Sequence, residues 1–163
     1  RVTMGMSALL VCLAGLTLVL GDVASSDVVS PQRKKHFEVV ITPAQMNWYA
    51  AYQYCRREGL QLASISSQAD HNNANIVLNK TLEDLQYVAH CYWTSGNDLA
   101  AQGYWSWMSS GQSVVGVKGW KNGFTRRYTY DCVYYMYDGD LSSWVWASGP
   151  CSDTCASLCE FQQ

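Results

Sequence analysis

Between Ala44 and Arg57 the apolar residues Trp48, Ala51, Tyr52 and Cys55 recur at steps of three and four. That spacing lines one face of an α-helix. Gly59 follows and ends the helix, because glycine takes positive φ without steric cost. Ahead of it, Phe37-Glu38-Val39-Val40-Ile41 reads as a strand closed by Thr42-Pro43. A second helix is expected from Ser67 to Leu82, with Ser67 as N-cap and Ala69, Ala74, Ile76, Val77 and Leu78 turned inward. After Leu85 the texture changes to short aromatic runs separated by Gly, Ser and Asn: Tyr92-Trp93-Thr94, Tyr104-Trp105-Ser106-Trp107, Tyr128-Thr129-Tyr130 and Val133-Tyr134-Tyr135. Aromatics at period two between turn residues predict short strands joined by long loops. Two helices followed by a strand-and-loop half give an α+β fold.

The N-terminal stretch has a different logic. Met4 to Leu20 is apolar and uncharged, and small polar residues follow it from Gly21 to Ser26. This is the form of a signal peptide, and the run is short for a spanning helix, which needs about 20 apolar residues. The expected organisation is a signal peptide at 1–24, a tail at 25–36 and one domain at 37–163. The run Arg33-Lys34-Lys35 is expected to be a solvated part of that tail. The mature chain is expected to be secreted, with no membrane attachment after cleavage.

Cys12 leaves with the leader, and the six remaining cysteines are Cys55, Cys91, Cys132, Cys151, Cys155 and Cys159. An even number in an oxidising compartment reads as three disulfides, although six cysteines allow fifteen pairings. Zinc is the rival reading of Cys151-x3-Cys155-x3-Cys159.

Net charge is −2, which argues against a general nucleic-acid binder. Seven Trp and eleven Tyr supply large amphipathic side chains suited both to a small core and to a binding surface. His36, His71 and His90 have no motif tying them to a nucleophile or carboxylate, so no enzyme is expected. Asn79-Lys80-Thr81 is an N-glycosylation sequon.

The order and spacing of several fragments resemble the C-type lectin-like domain family, and more narrowly short secreted insect lectins. The fragments are Trp48-x2-Ala51-x2-Tyr54-Cys55-x3-Gly59-x2-Leu62-Ala63-Ser64-Ile65, then Tyr92-Trp93-Thr94-Ser95-Gly96, then Gly103-x3-Trp107. Trp120, Asp131-Cys132, Trp146-x4-Cys151 and Cys159-Glu160-Phe161 complete the pattern. The resemblance implies bridges Cys55–Cys159 and Cys132–Cys151, which leaves Cys91 and Cys155 to form a third. It also implies recognition of an extracellular glycan or protein, in innate immunity among other settings.

Family lectins hold sugar through calcium, which takes 6–8 oxygen ligands. Carried over from Trp120, the ligand tripeptide falls on Phe124-Thr125-Arg126. The Glu position falls on Tyr130, and the Asn-Asp pair after Trp146 on Ala147-Ser148. Sliding the register recovers nothing, because no Glu lies between Glu83 and Glu160 and no Asn follows Asn122. Asp138-Gly139-Asp140 is expected to be a surface turn. No calcium or other cofactor is therefore expected. The candidate ligand-binding residues are Arg126, Arg127, Tyr130, Trp144 and Trp146, an aromatic and basic set of the kind favoured at interfaces; the plainer reading of the tryptophans is core. Two alternatives remain at this point: a galactose- or mannose-type lectin with an atypical site, and a subunit of a lectin-like dimer.

Overall fold

The computed structural model describes residues 35–40, 45–85, 89–115, 119–121 and 132–161, so residues 1–34 and 122–131, among others, lie outside the described residues. In chain order the elements are β1 (Phe37–Val40), α1 (Trp48–Arg57), β2 (Leu60–Leu62), α2 (Gln68–Leu85), β3 (Tyr92–Asn97), β4 (Ser106–Trp107), β5 (Cys132–Asp138), β6 (Ser143–Gly149) and β7 (Ala156–Phe161). The main sheet runs β1-β7-β3-β5-β6, with β2 added to β7 and β4 to β3. Pairing is antiparallel except between β3 and β7, where Tyr92 and Trp93 lie parallel to Ala156 and Ser157.

Both faces of this sheet are buried, and the period-two alternation of its strands decides what each face receives. In β3, Tyr92 packs with Ala74 and Leu78 of α2, whereas Trp93 packs with Trp48, Ala51 and Cys55 of α1. In β5, Val133 and Tyr135 join the α2 side, and Cys132 and Tyr134 the α1 side. Long aromatic strands between two helices are thus used on both faces.

The ends of α1 follow from single residues. Asn47 Oδ1 accepts the Ala50 amide at 2.9 Å as N-cap, and Gly59 leaves the helix at φ 76°. Trp48 anchors the helix across the sheet by donating from Nε1 to Thr94 O at 2.7 Å. Ser67 caps α2 as expected, since its Oγ accepts the Asp70 amide at 3.0 Å. Two expected inward residues of α2 are not inward: Ala69 is exposed, and Ile76 is 65 % exposed. The reason is a polar stripe. His71, Asn75 and Asn79 occupy the turns of the helix that face β5 and β6, a position that counting apolar residues cannot reveal.

Lys35 also departs from the expected solvated tail. Its Nζ donates to Ser64 O at 2.7 Å and to Ser64 Oγ at 2.6 Å, and it pairs with Glu160 at 3.3 Å and Asp70 at 3.7 Å. Ser64, Asp70 and Glu160 are buried, so their oxygens need a cation or donor nearby. Lys35 supplies it and fastens β1 to the rest of the domain.

The three disulfides are Cys55–Cys159, Cys91–Cys155 and Cys132–Cys151. They divide the Cys151, Cys155 and Cys159 triplet among three partners, which removes the zinc reading.

Candidate functional site

The residues singled out for ligand binding divide into two groups. Arg126, Arg127 and Tyr130 lie outside the described residues. Trp144 and Trp146 are on β6, and they are core rather than surface, at 0 % and 1 % exposure. Two residues apart on one strand, they face the same side, and that side meets α2. Neither ring is available to a ligand in this structure. Trp144 packs against Tyr92 and Tyr137, whereas Trp146 supports the 119–121 segment.

That support is closely fitted. Trp120 forms a parallel bridge with Trp146, where Lys121 N donates to Trp146 O at 2.8 Å and Trp146 N donates to Gly119 O. A Cβ on Gly119 would lie 2.8 Å from the Trp146 ring, so this close approach requires glycine. The Trp120 ring meets Trp146 edge-on at 5.8 Å and Trp105 at 5.5 Å, and Trp146 in turn meets Trp107 at 5.4 Å. Such edge-to-face contacts each contribute about 0.5–1.5 kcal/mol beyond burial.

The positions aligned with the family's calcium ligands do not fit the ion where they are described. On β6, Ala147 offers a methyl group and Ser148 a single hydroxyl, and both are buried. Calcium needs several carboxylate or amide oxygens. Asp138-Gly139-Asp140 forms the β5–β6 hairpin turn, where Asp138 Oδ1 accepts the Asp140 amide at 3.0 Å and Oδ2 pairs with Lys121 at 3.5 Å. Among the described residues no three His, Cys, Asp or Glu side chains come together as a metal site.

Sequence reasoning missed the apolar surface on the α1 side. An open cleft of about 430 Å³ lies between α1 and the segment after β3, lined by Tyr49, Tyr52, Leu99 and Met108 among others. Tyr49 and Met108 are about half exposed. The only signal was Tyr49 itself, an aromatic lying off the buried stripe of α1.

His71 is no catalytic candidate, because its partners are structural. Nδ1 lies 2.9 Å from Tyr135 Oη, and Asn75 Nδ2 approaches Nε2 at 3.2 Å. Asn75 Oδ1 is occupied by Trp144 N and its Nδ2 also donates to His71 O, so the amide cannot turn over freely. Nε2 is therefore the acceptor and Nδ1 carries the proton of a neutral ring. Burial lowers the His71 pKa below its ordinary 6.5. The unfolded chain then binds the proton more readily than the folded one. His71 contributes its full stability above about 6.5, and loses it as pH falls toward the lower folded value. The melting temperature of wild type should fall more steeply on acidification below pH ~6.5 than that of His71→Gln. Parallel curves for the two proteins would refute this assignment.

The profile of the Lectin C-type domain family matches residues 44–161. C-type lectin mosGCTL-7 of Aedes aegypti is 26 % identical over 132 residues, covering 80 % of this chain and 85 % of that protein. Human lithostathine has a similar fold, with a TM-score of 0.66 at 21 % identity over 81 % of this chain and 95 % of that one. The C-type lectin domain of murine dendritic cell inhibitory receptor 2, solved in complex with an N-glycan, gives 0.62 at 20 % identity over 82 % of this chain and 100 % of that one. With two helices, the mixed sheet and three bridges in place, the chain belongs to the C-type lectin domain family, a family of carbohydrate-binding modules.

Proposed function

We propose that this chain is a secreted recognition module that binds an extracellular glycan without calcium, in innate defence or a comparable extracellular role. The observation that carries the reading is the pair Ala147-Ser148 on β6. A methyl and one hydroxyl stand where the family places two calcium ligands, both enclosed by the fold. The sequence supports it independently, having no Glu between Glu83 and Glu160 and no Asn after Asn122. Arg126, Arg127 and Tyr130 are the residues proposed to meet the ligand in place of the ion. Arginine holds carboxylate or sulfate through paired donors, so an acidic glycan is the fitting class. Trp144 and Trp146 are buried and do not meet the ligand in this reading; Trp146 holds the 119–121 segment. Secretion is supported by the apolar leader at 4–20 and by three disulfides, which persist in oxidising compartments. Among the described residues no helix is long and apolar enough to cross a membrane.

A glycan array run with and without chelator, together with calcium calorimetry, tests the proposal. The expected result is binding to acidic glycans that survives chelation, and no saturable calcium uptake. Hits that vanish with chelator would restore an ordinary galactose- or mannose-type site. A blank array would move the ligand from glycan to protein.

A further inference from the structure

The polar stripe of α2 ends at a residue with two functions. His71, Asn75 and Asn79 follow one another at four-residue steps and reach Tyr135 Oη, Trp144 N and Trp144 Nε1 in turn. Asn79 Oδ1 accepts from Trp144 Nε1 at 2.9 Å, satisfying an indole donor that is otherwise buried. The residue as a whole is exposed. Its Nδ2 has no hydrogen-bond partner among the described residues, and Asn79-Lys80-Thr81 is the single Asn-x-Ser/Thr sequon of the chain.

We propose that Asn79 carries an N-linked glycan on Nδ2 while its Oδ1 stays bonded to the Trp144 indole. The modification leaves that bond intact, because a glycosylated amide keeps its carbonyl oxygen. It rests on the secretory reading above, since the donor is a lipid-diphosphate-linked oligosaccharide of the secretory pathway. In the transfer, Nδ2 forms a bond to the anomeric carbon of the terminal N-acetylglucosamine and loses one proton. The bond from that carbon to the diphosphate oxygen breaks, and the lipid diphosphate leaves. Thr81 Oγ1 donates to Val77 O within α2, so the hydroxyl of the sequon is engaged once the helix exists. Transfer therefore precedes formation of α2.

The glycan has a consequence for the partner surface. Tyr137 packs against Trp144 with ring centroids 5.4 Å apart and is 40 % exposed, and Leu141 in the same hairpin is 65 % exposed. The base of the sugar chain stands beside this apolar end of β5 and β6 and shields it from water and from other proteins.

The test expresses the chain with its leader in a eukaryotic secretory host and compares wild type, Thr81→Ala and Asn79→Gln by intact mass. Wild type from the medium should exceed its polypeptide mass and return to it, but for the amide hydrolysed at position 79, after peptide N-glycosidase. Both variants should emerge without the added mass. Only Asn79→Gln breaks the indole bond, so it should melt several degrees below Thr81→Ala, and its tryptophan near-UV signal should change. Secreted, fully bridged wild type at bare polypeptide mass would overturn the glycan. Equal melting of the two variants would overturn the role of Trp144. A chain retained inside the cell would instead overturn the secretory reading on which the site depends. Should Asn79→Gln fail to fold, Thr81→Ala alone decides the glycan.

Discussion

Replacing Cys55 and Cys159 together by alanine should lower the midpoint of thermal unfolding by on the order of 15 °C, the largest effect expected from any single bridge. The bridge spans a sequence separation of 104, but the free chain does not feel the whole of it. While Cys91–Cys155 is intact, the shortest closed path runs through that bridge and covers about 40 residues. Closing a loop of that length restricts the unfolded chain by about 4 kcal/mol. For a domain of this size each kcal/mol moves the midpoint by roughly 3–5 °C. Both sulfurs are also fully buried between α1 and the sheet, so alanine leaves an unfilled space there. The double variant avoids a lone thiol that would exchange with the other bridges. Unfolding monitored by circular dichroism in oxidising buffer reads the shift. A midpoint within about 3 °C of wild type would mean the bridge constrains little.

Those bridges also show how far the sequence could be read. The pairing came from resemblance, since six cysteines allow many pairings and spacing alone does not choose among them. The helices were legible where burial follows one face: Trp48, Ala51 and Cys55 are buried as their spacing predicts. Reading failed where a helix turns polar atoms toward the sheet. Ile76 was placed inward by its hydrophobicity, yet the inward turns of α2 carry His71, Asn75 and Asn79, each bonded to a partner on β5 or β6. Those partners are far away in sequence, and nothing local announces them.

The candidate site is legible in the residue types at the aligned positions and less so in their surroundings. The missing carboxylates and amides can be counted along the chain. Whether a tryptophan is floor or surface depends on which face of a strand is covered, and that is a tertiary fact. Trp144 and Trp146 share one face of β6, and α2 covers it. Lys35 makes the same point from the other direction. In a run of basic residues it looks solvated, but Ser64 of the β2–α2 connection, Asp70 of α2 and Glu160 of β7 draw it in.

Trp146→Ala should lower stability by about 3–5 kcal/mol, the usual cost of emptying a buried tryptophan site. It should also disable ligand binding in whatever protein remains folded. The indole is 1 % exposed and touches rings on four other elements or segments: His71 of α2, Trp107 of β4, Tyr135 of β5 and Trp120. Removing it leaves a void too large for these neighbours to close by small shifts, because packed interiors relax only in part. The local consequence is separate from the global one. Gly119 packs its backbone on the Trp146 ring, so without the ring the 119–121 segment loses its seat although the backbone bridge to β6 can still form. Gly119→Ala approaches the same contact from the opposite side. Its added methyl would overlap the ring, costing about 1–3 kcal/mol while leaving the core filled. Binding weakened in both variants, measured well below their melting temperatures, would support both the Trp146 platform and the proposal that the segment following it meets the ligand. Binding retained by folded Trp146→Ala would show that the segment needs no such floor.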